Sequence, residues 1–509
     1  MLRTPVGLSW LAVWVCAAPL QAHDWPAFRG PDQNGLAGQV GIPMQWSESQ
    51  NIAWTYDVPG KGWASPIVWG NRVIVATAVA EDATDKAAAR PSAAAPLRLV
   101  AQRKHGRTAG EDRYLVQTES QEAAQSDDPE GGPGRRPRAD RRGPRGDGGG
   151  RPGGGFGGRR AAGPPDVTYR WELHCLDLQS GEPLWVRVAR HAKPRIPTHG
   201  SNTYASETPV TDGEHVYAYF GMTGLFCYDL DGNLVWEKDL GNYPMMAGWG
   251  TSSSPVLADG KLFVQLDNEE QSFLVALDAA TGEELWRVDR AERSNWSTPL
   301  VWRNSQRTEL VLGGEIVRAY APADGRLLWE LNVGGRSSAS PAADGDLLIV
   351  GAEDRSSRGG TAGGLHAIAP GGTGDITPTG QEGRPQGSSG GVVWSSQQAL
   401  GMASPLVYDH YVYVLDRRSG IVTCLDAKTG QRAYRERLAQ ARAFWASPWA
   451  ADGHVFCLDD TGTTHVLAPG GKFHVVRANS IAGQFWSSAA VTDGTVLLRS
   501  AETLYCVRK

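Results

Sequence analysis

The sequence predicts an all-β fold, an eight-bladed β-propeller of four-stranded blades, and two observations predict it. The first is a motif that returns eight times. It reads Ser/Thr-Pro, then a few apolar residues, then often Asp-Gly and an alternating Val/Leu/Tyr run. The copies are Ser65-Pro66, Thr208-Pro209, Ser254-Pro255, Thr298-Pro299, Ser340-Pro341, Ser404-Pro405, Ser447-Pro448 and a degenerate Ser488-Ala489. Most successive steps fall between 41 and 46 residues, the span of a four-stranded blade. The second observation is the other half of each repeat. An apolar-x-small-Leu-Asp run leads to a Gly, and an aromatic follows four residues later. Gly181/Trp185, Gly232/Trp236, Gly282/Trp286, Gly325/Trp329 and Gly430/Tyr434 keep this spacing. A lone repeat cannot bury its own apolar faces, so eight must close into one ring. That overrides the several domains a 509-residue chain would otherwise suggest.

Residues 1–22 read as a secretory signal peptide. Arg3 opens it, Leu8 to Leu20 is mostly apolar, and Ala22 offers a small residue at the cleavage edge, so the mature chain would begin at His23. The apolar run is shorter than the roughly 20 residues that span a bilayer, and no later segment qualifies. Cys16 follows bulky Val15, which argues against a lipid-anchored cysteine. Residues 23–50 form an N-terminal extension, and the propeller occupies 51–509. The chain ends after offering only three strands to the last blade. Asn51–Val58 supplies the fourth, with Trp54 at the aromatic position, so the seam has no free edge. Two blades are interrupted. The first step exceeds the period by about 100 residues. That excess, about 81–166, is rich in Ala, Gly, Arg and Pro and reads as a disordered loop. A shorter Gly-rich excess lies near 377–391.

The formal net charge of −5 hides an asymmetry. Residues 134 to 160 carry nine Arg and two Asp, so the remaining chain is acidic. An exported acidic body excludes nucleic acid as an expected partner. Five cysteines remain after cleavage, and an odd number cannot pair fully. Cys175, Cys227 and Cys424 each lie two residues before an Asp, where Ala276 stands in another repeat. The slot therefore reads as a small, buried strand position, filled by Cys506 in the last repeat. Cys457 belongs to a different strand of its blade.

The recurring Trp of the second half builds the blades, because a residue present in most repeats packs neighbouring sheets together. A second aromatic set is irregular. Trp63, Trp296, Trp445 and Trp486 stand two residues before the Ser/Thr of their repeats, and Tyr204 and Trp249 lie slightly farther upstream. There the chain enters the innermost strand, so these six rings are candidates for a binding rim around the channel mouth, with Asn295 and Arg442 nearby. The alternative is that they pack on one another or plug the channel. Gly153-x-Gly155-x-x-Gly158 formally matches a dinucleotide fingerprint but lacks a flanking strand and helix. Asp229-Leu-Asp231-Gly-Asn233 resembles the start of a calcium loop, yet Leu240 stands where the bidentate Glu is required. No metal-ligand spacing and no catalytic motif emerges.

Leu277–Trp286, reading Leu-Asp-Ala-x-Thr-Gly-x-x-x-Trp, resembles the repeat of pyrroloquinoline-quinone (PQQ)-type propellers. Asp24–Pro31 and Leu406–Gly430 are similar to segments of PQQ-like repeat proteins of planctomycete bacteria. The resemblance implies either a quinoprotein dehydrogenase or a BamB-like propeller that binds protein partners. Quinoproteins of this kind usually carry adjacent cysteines beside the quinone, and this chain has no Cys-Cys and no Cys-x-x-Cys-His. The expectation is therefore an exported, non-catalytic binding or scaffold protein of the periplasm or cell envelope. It would contact envelope proteins or peptides and need no cofactor. A PQQ- and calcium-dependent alcohol or sugar dehydrogenase is the alternative, and carbohydrate binding a weaker one.

Overall fold

The computed structural model describes residues 24–81, 163–354, 363–378 and 391–509. The expected signal peptide, nearly all of the long insert and most of the short one lie outside these residues. The described residues form eight sheets of four antiparallel strands, with one extra strand on the fourth. Helix is confined there to two single turns, Gly221–Thr223 and Met246–Gly248. No helix among the described residues is long and apolar enough to cross a membrane. Numbering blades by their Ser/Thr-Pro copies, blade 1 holds Ile67–Trp69, Arg72–Ala80, Tyr169–Asp177 and Pro183–Ala192. The two long middle strands pair out to Ala80 and Tyr169, so the long insert leaves from the tip of a hairpin.

The ring closes as the repeat arithmetic requires. Ile52–Asp57 is the outer strand of blade 8, antiparallel to Thr503–Arg508, with Trp54 opposite Cys506 and Tyr56 opposite Leu504. The seam is reinforced by Arg499, which donates from Nη1 to the carbonyls of Ala64 and Ala76 in blade 1.

The two halves of the repeat face opposite neighbours. A Cβ placed on Gly181 would lie 2.5 Å from the Trp54 indole, and Gly232, Gly282 and Gly325 stand in the same relation to Trp185, Trp236 and Trp286. Each turn glycine thus seats the tryptophan of the preceding blade. The indoles then donate forward: Trp54 to the Leu178 carbonyl, Trp185 to Leu230, Trp236 to Ala279 and Trp394 to Ala427. Trp329 departs, donating to Glu309. The small slot is explained by pairing. Cys175, Cys227, Ala276, Ala319, Ala367, Cys424 and Cys506 each lie directly across from the blade's aromatic, where a larger side chain would compete for space. All five described cysteines are free and buried.

The Ser/Thr of the motif joins blades at the axis. The backbone N–H of Ser65 donates to Thr208 Oγ1, Thr208 N–H to Ser254, Ser254 to Thr298, Thr298 to Ser340, Ser340 to Ser404, Ser404 to Ser447, and Ser447 to Ser488, all at 2.9–3.0 Å. A hydroxyl is needed as acceptor. The proline that follows has no N–H to satisfy on the crowded axis. Ser404→Ala leaves the buried Ser340 N–H without its acceptor and is expected to cost about 1–3 kcal/mol, read as a shift of the thermal midpoint.

Two features were not anticipated. Gly374–Asp375 adds a parallel strand to the outer edge of blade 4, pairing with Trp329 and Glu330, and Ile376 is fully buried beside it. The larger surprise is the N-terminal extension, which crosses the turn end of the channel. Trp25 bridges Val68 in blade 1, and the Pro26 carbonyl accepts from Thr211 in blade 2. The amides of Val40, Gly41 and Ile42 donate to the Asp452 carboxylate in blade 7, and the Val40 carbonyl accepts from Gly494 in blade 8. Its loop from Arg29 to Gly35 rises into the channel. Arg29 Nη2 donates to the Pro405 carbonyl at 2.6 Å, Gln33 Nε2 to that of Pro299 at 3.4 Å, and Gln33 Oε1 accepts from Val301 N–H. Gly35 lies against the Pro448 carbonyl, where a Cβ would stand 3.1 Å away. The loop thus touches the motif prolines of blades 4, 6 and 7 and closes the channel immediately below the hydroxyl ring.

Candidate functional site: a blind cup with an aromatic ledge

With one end filled, the channel is a cup. Its floor is the Arg29–Gly35 loop, its wall the Ser/Thr ring, and its rim the residues that lead into each innermost strand. From the rim position to the motif proline is three residues of extended chain, about 10 Å deep at most.

The six proposed rim aromatics separate into three groups. Trp445 and Trp486 stack with centroids 4.0 Å apart and planes 13° from parallel. Trp63 continues the stack from Trp486 at 4.8 Å. The Arg417 guanidinium covers Trp445 at 4.5 Å. Cation and rings form a ledge across blades 6, 7, 8 and 1, and the three tryptophans are half-buried. Each ring pair adds about 0.5–1.5 kcal/mol beyond its burial, so the ledge is held in a fixed shape before any partner arrives. Trp249 and Trp296 form a second group at 5.4 Å, with the His199 ring 6.1 Å from Trp249. Trp296 is only 8% exposed and donates to the Gly250 carbonyl, so it packs under the loop rather than lining the rim. Tyr204 stacks with neither group. It packs on Tyr169 and Trp171, and its hydroxyl donates to the Ile196 carbonyl. Blades 5 and 6 carry Ser338 and Met402 at the rim position, so the aromatic ring is incomplete. Asn295 is buried and braces its own loop through Ser297 and the Trp296 amide. Arg442 is exposed.

Glu207 escaped notice as a candidate, although the repeat marks it. The residue before each Ser/Thr is Ala64, Ser253, Ser297, Ala339, Ala403, Ala446 or Ser487, and only blade 2 places a large acid there. Glu207 is 2% exposed, and its Oε1 has no hydrogen-bond partner. Burial pushes its carboxyl up to about 7, against the pull of the Thr251 hydroxyl and nearby amides. Gly221, at φ +52°, makes room for it: a Cβ there would stand 2.0 Å from Thr251 Oγ1 and 3.1 Å from Glu207 Oε1.

The repeats lying on these strands match a protein-family model described as outer membrane protein assembly factor BamB, over residues 170–307 and 384–506, just over half of the chain. The chain belongs to this family of PQQ-like β-propellers. A BamB of Burkholderia pseudomallei (strain K96243) is 26% identical over 186 residues, which is 36% of this chain. The chain spans only 44% of that relative's length. Among solved structures, a europium-containing methanol dehydrogenase superposes over 95% of this chain and 91% of its own, with a TM-score of 0.52 at 9% identity. It shows the shared fold. BamB from Moraxella catarrhalis matches over 61% of this chain and 95% of its own, at 14% identity and a TM-score of 0.34, too low to carry an argument.

A planar quinone with a calcium ion would need an open aromatic face and a set of ligating carboxylates. Trp486 is covered by Trp445 on one face and Trp63 on the other, and Trp445 lies between Trp486 and Arg417. Among the described residues, no three His, Cys, Asp or Glu side chains converge. The residues at this mouth do not assemble that set.

Proposed function

We propose that this chain is an exported, non-catalytic scaffold of the cell envelope that binds protein or peptide partners at its channel mouth. The observation that carries the proposal is the ledge of Trp445, Trp486 and Trp63 above a closed floor. It is a rigid, half-exposed aromatic surface with a cation at one end, the kind of anchor on which interface energy concentrates. The BamB family assignment supports the same reading, since the described relatives are assembly factors of the outer membrane by name. Tagged full-length protein is used to recover partners from envelope extract, with the Trp445→Ala/Trp486→Ala variant in parallel. Recovery is expected to fall about tenfold or more if two anchors are removed. Unchanged recovery takes those residues out of the surface.

The second reading, a PQQ-dependent dehydrogenase, is favoured by Glu207 alone, a buried carboxyl with an unpartnered oxygen beside the rim. Titration with PQQ and calcium, followed by alcohols or sugars and an artificial electron acceptor, separates the two readings. The scaffold reading predicts no saturable PQQ binding and no substrate-dependent dye reduction.

A further inference from the structure

Arg29 is a positive charge without a counter-ion. It is 2% exposed, and Nη2 spends its protons on the carbonyls of Asn34 and Pro405. Its Nε and Nη1 are buried and have no hydrogen-bond partner among the described residues. Desolvation pulls its pKa down to about 9, and no carboxylate counters it. Leaving a guanidinium in that condition is costly unless an acceptor completes it. The loop that carries Arg29 lies between the motif prolines of blades 4, 6 and 7, immediately beneath the hydroxyl ring.

The wall above supplies more donors. Seven hydroxyls of the Ser/Thr ring, those of Thr208, Ser254, Thr298, Ser340, Ser404, Ser447 and Ser488, each accept an amide proton and still have their own proton to give. Ser253 Oγ, one residue above the ring, and Trp63 Nε1, on the ledge, are also buried without partners. Behind the same wall, Arg499 is fully buried against the Ala64 carbonyl. Glu207 is the opposing charge. Within the floor and wall, below Arg417 of the ledge, two guanidiniums and one carboxyl leave a single net positive charge, which suits a monoanion and disfavours a dianion such as phosphate.

We propose that the cup binds a carboxylate, its oxygens on Arg29 and the hydroxyl ring and its apolar body on the tryptophan ledge. Two sources share this chemistry, the free C-terminus of a polypeptide and a small organic acid. The proposal rests on the mouth being the binding surface, and it names the group that the mouth selects. The depth, at most about 10 Å, admits no more than about three extended residues of a chain end.

The test titrates the full-length protein by calorimetry and by indole fluorescence of the ledge. The probes are an N-acetylated tripeptide acid ending in Leu, the same tripeptide as its amide, phenylacetate, and inorganic phosphate. The acid is expected to bind saturably and the amide at least about tenfold more weakly, because the charge-assisted contact to Arg29 is lost. Phosphate is expected not to compete. Saturation by the tripeptide acid and not by phenylacetate assigns the source as a chain end, and the converse assigns a small acid. Arg29→Gln is expected to weaken the acid about tenfold or more and Arg29→Lys less. Equal binding of acid and amide overturns the proposal, as does no binding of any carboxylate at millimolar concentration, or full binding by Arg29→Gln. If Arg29→Gln fails to fold, the acid-against-amide comparison on the unaltered protein decides. Partner recovery that depends on Trp445 and Trp486 while every carboxylate fails would sink this inference and leave the scaffold reading standing.

Discussion

Trp54→Ala is expected to destabilise the protein by about 3–5 kcal/mol, the cost of removing a buried indole and leaving its cavity. Trp54 is the one blade aromatic supplied from the far end of the chain. Its ring seats on Gly181 of blade 1, its Nε1 donates to the Leu178 carbonyl at 2.9 Å, and its backbone lies opposite Cys506. One substitution therefore loosens the outer strand of blade 8 and the contact between blades 8 and 1. The same change at Trp286, whose blade is continuous in sequence, removes a comparable ring but does not touch closure. Its weaker hydrogen bond, 3.3 Å to the Pro322 carbonyl, points to a smaller loss. Equilibrium urea unfolding of the two variants checks the order. Hydrogen exchange should show Thr503–Arg508 opening in Trp54→Ala and protected in Trp286→Ala.

Glu207→Gln is expected to stabilise the protein at pH 8 by about 1–3 kcal/mol and to leave it nearly unchanged at pH 4. The folded-state value of about 7 lies above the ordinary 4.5. The folded protein therefore holds this proton more tightly than the unfolded chain does. The group's contribution is fully present below pH 4.5, is lost as the pH rises from 4.5 to 7, and stays lost above that. The gap corresponds to about 3 kcal/mol. Thermal midpoints of both proteins from pH 4 to 8 should diverge across that window. A protein that keeps a buried acid at this cost, in a slot that seven other repeats fill with Ala or Ser, keeps it for something other than stability.

The fold was legible because the repeat states it. Periodicity fixed eight blades, and the missing fourth strand of the last blade pointed to Asn51–Val58, where the structure has the strand Ile52–Asp57. Which neighbour each residue faces was not legible. Gly181 and Trp185 stand four apart in sequence yet pack against Trp54 on one side and Gly232 on the other. The N-terminal extension was invisible as a plug because its contacts, such as Arg29 to Pro405, join residues hundreds of positions apart and follow no period. Rim residues were found by position, but position does not give exposure. Trp296 and Trp445 occupy the same place in their repeats, and only the first is buried under a neighbouring loop. Glu207 could have been found by asking which repeat breaks the small-residue slot, a comparison that the Ser/Thr and Trp positions drew attention away from.

The account places partners at the mouth rather than on the perimeter, where Leu184, Val235, Leu285 and Val393 leave an apolar residue exposed one position before the aromatics of blades 1, 2, 3 and 5. A photo-activatable residue is placed at Gln484, exposed two residues before Trp486, and in a second protein at Leu285, 48% exposed on the outer strand of blade 3. Irradiation of cells making each protein should give discrete crosslinked partners from position 484 that disappear when Trp445 and Trp486 are both alanine, and none of those partners from position 285. Crosslinks confined to position 285, or crosslinks at 484 indifferent to the two tryptophans, would contradict it.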